Sequence, residues 1–260
     1  MKTKLLIITL FLSVAFISCK KDPVEPEDNH THEASEGTLE LEFEAMVDTN
    51  ALVFNTQNYL NANGDTFNVS LFKYYISNVV LTKSDNSTYT VPNSYYLVTH
   101  NGTSNPVVSI GGVPNGTYKA ITFLIGVDST RNVSGVQSGA LDPVNGMFWS
   151  WSSGYIMAKM EGTSPQSGNA SKALKFHVGG FSGVNNTLKT VSPSFGTSTA
   201  TINGEHGSTV HFKTDLSQWF KTPNTVSFAT MHTVHMPGTM AKMIADNYAD
   251  MFSLEHIHNH

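Results

Sequence analysis

From residue 38 the chain alternates: Leu39, Leu41, Phe43, Ala45 and Val47 are apolar and their partners mostly polar. No feature constrains the fold more. A helix repeats every 3.6 residues, whereas a period of two fits a strand with one face buried. Further strand-like runs occupy residues 67–83, 95–99, 107–110, 118–127, 147–160, 174–178, 188–191, 199–202, 209–213 and 225–229. Between them stand Asn63-Gly64, Gly111-Gly112, Asn115-Gly116, Asn145-Gly146 and Asn203-Gly204, dipeptides suited to tight turns. Many short strands punctuated in this way predict an all-β protein, an antiparallel β-sandwich. Two short helices are expected, one turn at 215–220 and a longer one near residues 240–252. In the latter Met240, Met243, Ile244, Tyr248 and Met251 recur at helical spacing after Thr239, a candidate N-cap.

The N-terminus reads differently. Lys2 and Lys4 precede an apolar run, residues 5–17, that is too short to span a bilayer and suits a signal peptide. Cys19, the chain's single cysteine, ends that run and resembles a bacterial lipobox residue. Cleavage after residue 18 and lipidation of Cys19 are therefore expected, with anchoring to a bacterial membrane, the outer one, on its periplasmic or cell-surface face. Residues 19–37 are charged, contain prolines and lack periodicity, as befits a flexible tether. Residues 38–260 then form a single domain. Without residues 1–18 the chain keeps 13 basic against 20 acidic side chains, a formal charge of −7. That balance, with no basic patch interleaved with aromatics, argues against a nucleic-acid partner.

Eleven histidines stand in a chain only 13% charged, and seven of them follow residue 200. His256, His258 and His260 alternate, so an extended tail would set all three on one side. His232 and His235 lie three apart between Met231 and Met236, and His177 ends a strand-like run before two glycines. His211 should face away from the apolar side of its strand. Imidazole suits Cu, Zn and Ni, and thioether sulfur favours Cu(I), so the composition leans toward copper. Solvated surface histidines are the competing reading, to which His100 and His206 belong. No HExxH, Gly-x-Ser-x-Gly or phosphate-loop motif is present, and the chain is not expected to be an enzyme.

Trp149 and Trp151 follow the turn-like LDPVNG. Two residues apart on one strand, they would share a face. Core packing, a sugar-stacking platform and a metal site are the three readings open to them. The platform defines the main alternative function, a cell-surface glycan-binding or adhesion module.

LDPVNGMFWSWSSGYIMAKMEG, with LFKYYISNVVL and ITFLIGVDS upstream, FHVGG downstream and ADNYADMF and HIHN near the end, resembles the MbnP-like proteins. The resemblance runs from about Leu39 to Asn259. It implies an exported, β-rich protein that binds copper as Cu(I) or Cu(II), for uptake, storage or delivery. It implies a di-haem, peroxidase-like partner of the MbnH type that oxidises a tryptophan to kynurenine. Trp149 and Trp151 are the candidates for that change. By the same resemblance His177 and His258 are the leading ligand candidates, followed by His256, His232 and His235.

Overall fold

Two sheets close on each other with aromatic rings between them. The computed structural model describes residues 35–150, 154–204 and 206–260. Its first strands are β1 (Glu36–Val47), β2 (Asn50–Ala51), β3 (Tyr59–Leu60), β4 (Thr66–Lys83), β5 (Thr88–Thr90) and β6 (Tyr95–His100). β7 (Val107–Pro114), β8 (Gly116–Ile125), β9 (Phe148–Trp149), β10 (Gly154–Thr163) and β11 (Ala173–Gly179) follow, with the short helix α1 (Ser129–Asn132) after β8. The chain ends with β12 (Lys189–Val191), β13 (Ala200–Ile202), β14 (Ser208–Asp215), β15 (Thr233–Val234), helix α2 (Thr239–Tyr248) and β16 (Phe252–Asn259).

The smaller sheet runs β16-β14-β1-β2, with β7 also paired to β1, and the larger runs β12-β8-β4-β10-β11-β15 with short strands added at its margins. Alternation in β1 buries Leu39, Leu41 and Phe43 and leaves Glu40, Glu42 and Glu44 outside. Phe43 meets Tyr74 of β4 edge-on at 6.1 Å, and Phe123 of β8 meets Phe212 of β14 at 6.3 Å. Such edge-to-face pairs add to the area they bury. The β4 run Tyr74-Tyr75-Ile76-Ser77 is buried throughout because both faces of the sheet are covered there. Its second face lies under residues 127–149, where Tyr75, Val127, Leu141, Met147, Trp149 and Tyr155 make a separate small core.

The all-β sandwich is the predicted one, with four differences. The sheets are mixed: β1 pairs with β14 in parallel, and so does β11 with β15. The 147–160 run is two strands, because β9 folds back antiparallel on β10, with Trp149 opposite Gly154. Trp151 lies outside the described residues. The late helix stops at Tyr248, and Gly238 rather than Thr239 is its N-cap. Its inner face is Ala241, Ile244, Ala245 and Tyr248, whereas Met240 is exposed. Finally, residues 225–229 form no strand: Phe228 is anchored in a turn by its N–H donating to Asp65 at 2.7 Å. The 215–220 turn is as expected, with Asp215 capping Leu216–Phe220. Cys19 and the leader and tether before residue 35 fall outside the described residues. Among those described, no helix is long and apolar enough to cross a membrane.

His100 is a core histidine. It stacks on Phe72 with ring centroids 5.0 Å apart and lies 3.3 Å from the Tyr74 hydroxyl. Burial pushes its pKa down from 6.5 to about 3. The folded state thus resists a proton that the unfolded chain accepts. Stability is unaffected above pH 6.5 and falls between pH 6.5 and 3, by up to about 1.4 kcal/mol per pH unit. His100→Phe should flatten the acid limb of stability against pH in that window, as measured by denaturant unfolding at several pH values. Equal slopes for both proteins would contradict this.

Candidate functional site

The end of β11 gathers several of the residues singled out by sequence. In β11 the side chains of Leu174, Phe176 and Val178 point into the core. His177 and Gly179 therefore share the outward face. β10 runs antiparallel beside β11 and sets Lys159 opposite His177 and Glu161 opposite Lys175. The His177 Nε2 lies 2.7 Å from Glu161 Oε1, and Lys159 Nζ lies 3.5 Å from the same oxygen. Burial is the leading influence on His177 and lowers its pKa, while the Glu161 contact opposes the shift. Burial would raise the Glu161 pKa, yet its bonds to His177 and Lys159 hold it below the usual carboxylate range.

This row of polar groups is tied to the turn before Trp149. Lys159 Nζ donates to the Gly146 carbonyl at 3.2 Å, and Lys73 Nζ to that of Asn145 at 3.3 Å. The Tyr75 and Tyr155 hydroxyls donate to Ala140 and Leu141. The Pro-containing turn 142–146 is thereby clamped onto the outer face of the sheet, and β9 leaves it aimed at the end of β11. Trp149 is 7% exposed. Its six-membered ring covers Gly179: a Cβ there would stand 2.6 Å from Cζ3 and 2.7 Å from Cη2. Glycine is required by this close approach. Beside the indole opens a pocket of about 130 Å³ lined by Trp149, Gly154, Tyr155, Gly180, Phe181, Ser182 and Pro237.

β15 brings a second imidazole to the same edge. It pairs in parallel with β11, Lys175 opposite Thr233 and Phe176 opposite Val234. His235 is the residue after that strand and is exposed. His232 goes elsewhere. Its ring packs against Gly168, with Nδ1 buried and unpartnered. His256 and His258 are on β16, in the other sheet, where His256 pairs with His211 and His258 with Thr209. The expected one-sided tail is present, and His258 and His260 have ring centroids 4.7 Å apart.

The five nominated histidines thus divide among three places. Among the described residues no group of three or more His, Cys, Asp or Glu side chains is gathered where it could hold a metal ion. At the end of β11 the donor types suit a soft copper ion: the imidazole of His177, with His235 and the exposed thioether of Met236 following the neighbouring strand β15. They fall short in number, and the bulkiest neighbour, an indole, offers no lone pair. Glu161 and Gly179 escaped the sequence reading. Glu161 was legible in principle, since Lys159-x-Glu161 and Lys175-x-His177 are outward pairs of one hairpin.

Fold and site together define a two-sheet β-sandwich protein that carries paired imidazoles on its outer faces and a buried tryptophan against a strand end. The chain belongs to the MbnP family, whose model matches residues 36–240. Among solved structures it is similar to MbnP from Methylosinus trichosporium, at a TM-score of 0.52 and 12% identity, over 85% of this chain and 98% of that one. At that identity the likeness is one of fold. No curated protein matches the chain.

Proposed function

We propose that the protein is an exported, lipid-anchored copper-binding protein that takes up, stores or delivers the metal, and that the end of β11 holds it. The observation that carries this reading is the Trp149 ring lying over Gly179, on the strand face shared with His177, in a chain of the MbnP family. The family's tie to methanobactin-based copper handling supports it, as do the leader, the lipobox-like Cys19 and the His and Met donors.

The missing ligand is supplied by Trp149. A di-haem, peroxidase-class partner using two peroxide equivalents cleaves the indole C2–C3 bond and leaves one oxygen on each carbon, with two waters released. Hydrolysis then frees C2 as formate. The product, kynurenine, presents an aromatic amine and a ketone and is heavier by about 4 Da. His177 and His235 bind, Glu161 fixes the His177 ring, and Met236 shields the open side. Bound there, copper supplies a cargo ion rather than a catalyst, so the protein is not an enzyme. Among the described tryptophans Trp149 and Trp219 are both buried, so neither offers a glycan platform an exposed indole face.

Equilibrium dialysis of mature protein, against Cu(I) under anaerobic reducing conditions and against Cu(II) in air, tests the reading. Copper retained by protein from its own host supports it. No retention in either oxidation state overturns it.

A further inference from the structure

Asn132, the last residue of α1, is buried behind the strand that carries Trp149. Its Nδ2 donates to the Val127 carbonyl and, at 3.1 Å, to that of Asp128. Its Oδ1 accepts the Tyr155 N–H at 2.9 Å. One side chain thus gives donors to the entry of α1 and an acceptor to the start of β10, a double role that an amide can fill. α1 is also fixed from its other side. Asp128, its N-cap, accepts from the Tyr95 hydroxyl of β6 and, at 3.0 Å, from Asn78 Nδ2 of β4. Just before it the Gly126 carbonyl accepts from Ser77 Oγ at 2.8 Å. β10 in turn carries the indole. Among the described residues β9 pairs with β10 alone, Trp149 opposite Gly154 and Phe148 opposite Tyr155. The Ile156 N–H donates to the Met147 carbonyl at 2.9 Å. These pairings start around Tyr155, the residue that Asn132 holds.

We propose that Asn132 is a positioning residue: by setting the start of β10 it fixes where Trp149 stands over Gly179, and so shapes the site in which the indole is converted and copper held. The last part rests on the copper reading; the placement of the ring does not. The fit to be kept is close, since a Cβ on Gly179 would stand 2.6 Å from the indole. A displacement of about 1 Å spoils a site of this kind. A second buried asparagine serves as its control. Asn247 of α2 donates through Nδ2 to the carbonyls of Trp219 and Asn224 at 2.9 and 2.7 Å, and its Oδ1 accepts the Asn224 N–H at 2.9 Å. The bonding pattern is the same and the tryptophan is a different one. Losing either amide leaves buried backbone groups unpaired and costs stability. Only the loss of Asn132 moves Trp149.

Fluorine NMR of mature protein labelled with 5-fluorotryptophan, and made without an oxidising partner, tests this. Trp149→Phe and Trp219→Phe assign the resonances. Asn132→Asp keeps the side-chain shape but sets an acceptor against two carbonyls. It should shift or broaden the Trp149 resonance and leave that of Trp219 in place, and Asn247→Asp should do the reverse. Asn132→Ala, which introduces no charge, should move Trp149 as Asn132→Asp does. In the native chain, where no substitution can disturb folding, the Tyr155 N–H should exchange with deuterium as slowly as the Ile156 N–H. A Trp149 resonance unchanged in both Asn132 variants, or moved equally by Asn247→Asp, would overturn the proposal. So would a Tyr155 N–H that exchanges freely beside a protected Ile156. A Trp149 resonance displaced by the Asn132 variants alone supports it even in protein that retains no copper, a result that would count against the copper reading only.

Discussion

His177→Ala is expected to weaken Cu(I) binding about a hundredfold while leaving the fold intact. The side chain is 19% exposed, so burial disfavours its protonated form and keeps a lone pair available at neutral pH. Its ring is set by Glu161 at 2.7 Å, the carboxylate–imidazole arrangement that orients metal ligands. Removing the imidazole does not strand that carboxylate, because Lys159 remains 3.5 Å away. Stability should therefore change far less than affinity. Glu161→Gln keeps a group of the same shape and should weaken binding by about tenfold. A competition titration with a Cu(I) chelator reads both. Equal affinity in His177→Ala and the native chain would remove the end of β11 from the copper account.

Gly179→Val is the second large effect. Valine is a good strand residue, and nothing about β11 itself forbids it. The obstacle is the indole, already 2.6 Å from where the new Cβ would sit, and Gly179 also has the Tyr155 carbonyl at 2.8 Å from that point. Either the ring or the strand has to move. Overpacking of this sort costs about 1–3 kcal/mol. The ring sits on the small outer core, whereas β11 is fixed by β10 and β15, so the ring is the part that yields. In protein whose Trp149 is unmodified its emission should shift to the red, and in protein from its own host copper affinity should fall as far as in His177→Ala. An unshifted spectrum with native affinity would show that the indole does not depend on Gly179 and is no part of the site.

How far the sequence could be read follows from which forces are local. The alternation in β1 was legible because one face meets the core and the other meets water. The strand order was not, since β1 finds its parallel partner β14 about 170 residues away, and no local signal records that pairing. The tryptophan pair misled for a related reason. Period two continues through 147–160, and β9 nevertheless pairs antiparallel with β10, Trp149 opposite Gly154. At the site, FHVGG was read as ending its strand at His177, whereas β11 runs on to Gly179. His232 and His235 looked like a pair, but the His232 ring packs against Gly168 with Nδ1 buried while His235 is exposed. His211 was placed correctly on the outer side of β14. That its ring stacks on His256 depends on the register of β16, set by tertiary packing alone.

The central claim is that Trp149, converted to a ligand, holds copper together with His177. Its most direct test is the mass of the Trp149-bearing peptide and the copper content of protein isolated from its own host, native and His177→Ala. The account predicts a native peptide heavier by about 4 Da at Trp149 and copper that co-purifies, with the same modification but little copper in His177→Ala. An unmodified Trp149 in copper-loaded protein, or full copper in His177→Ala, would contradict it.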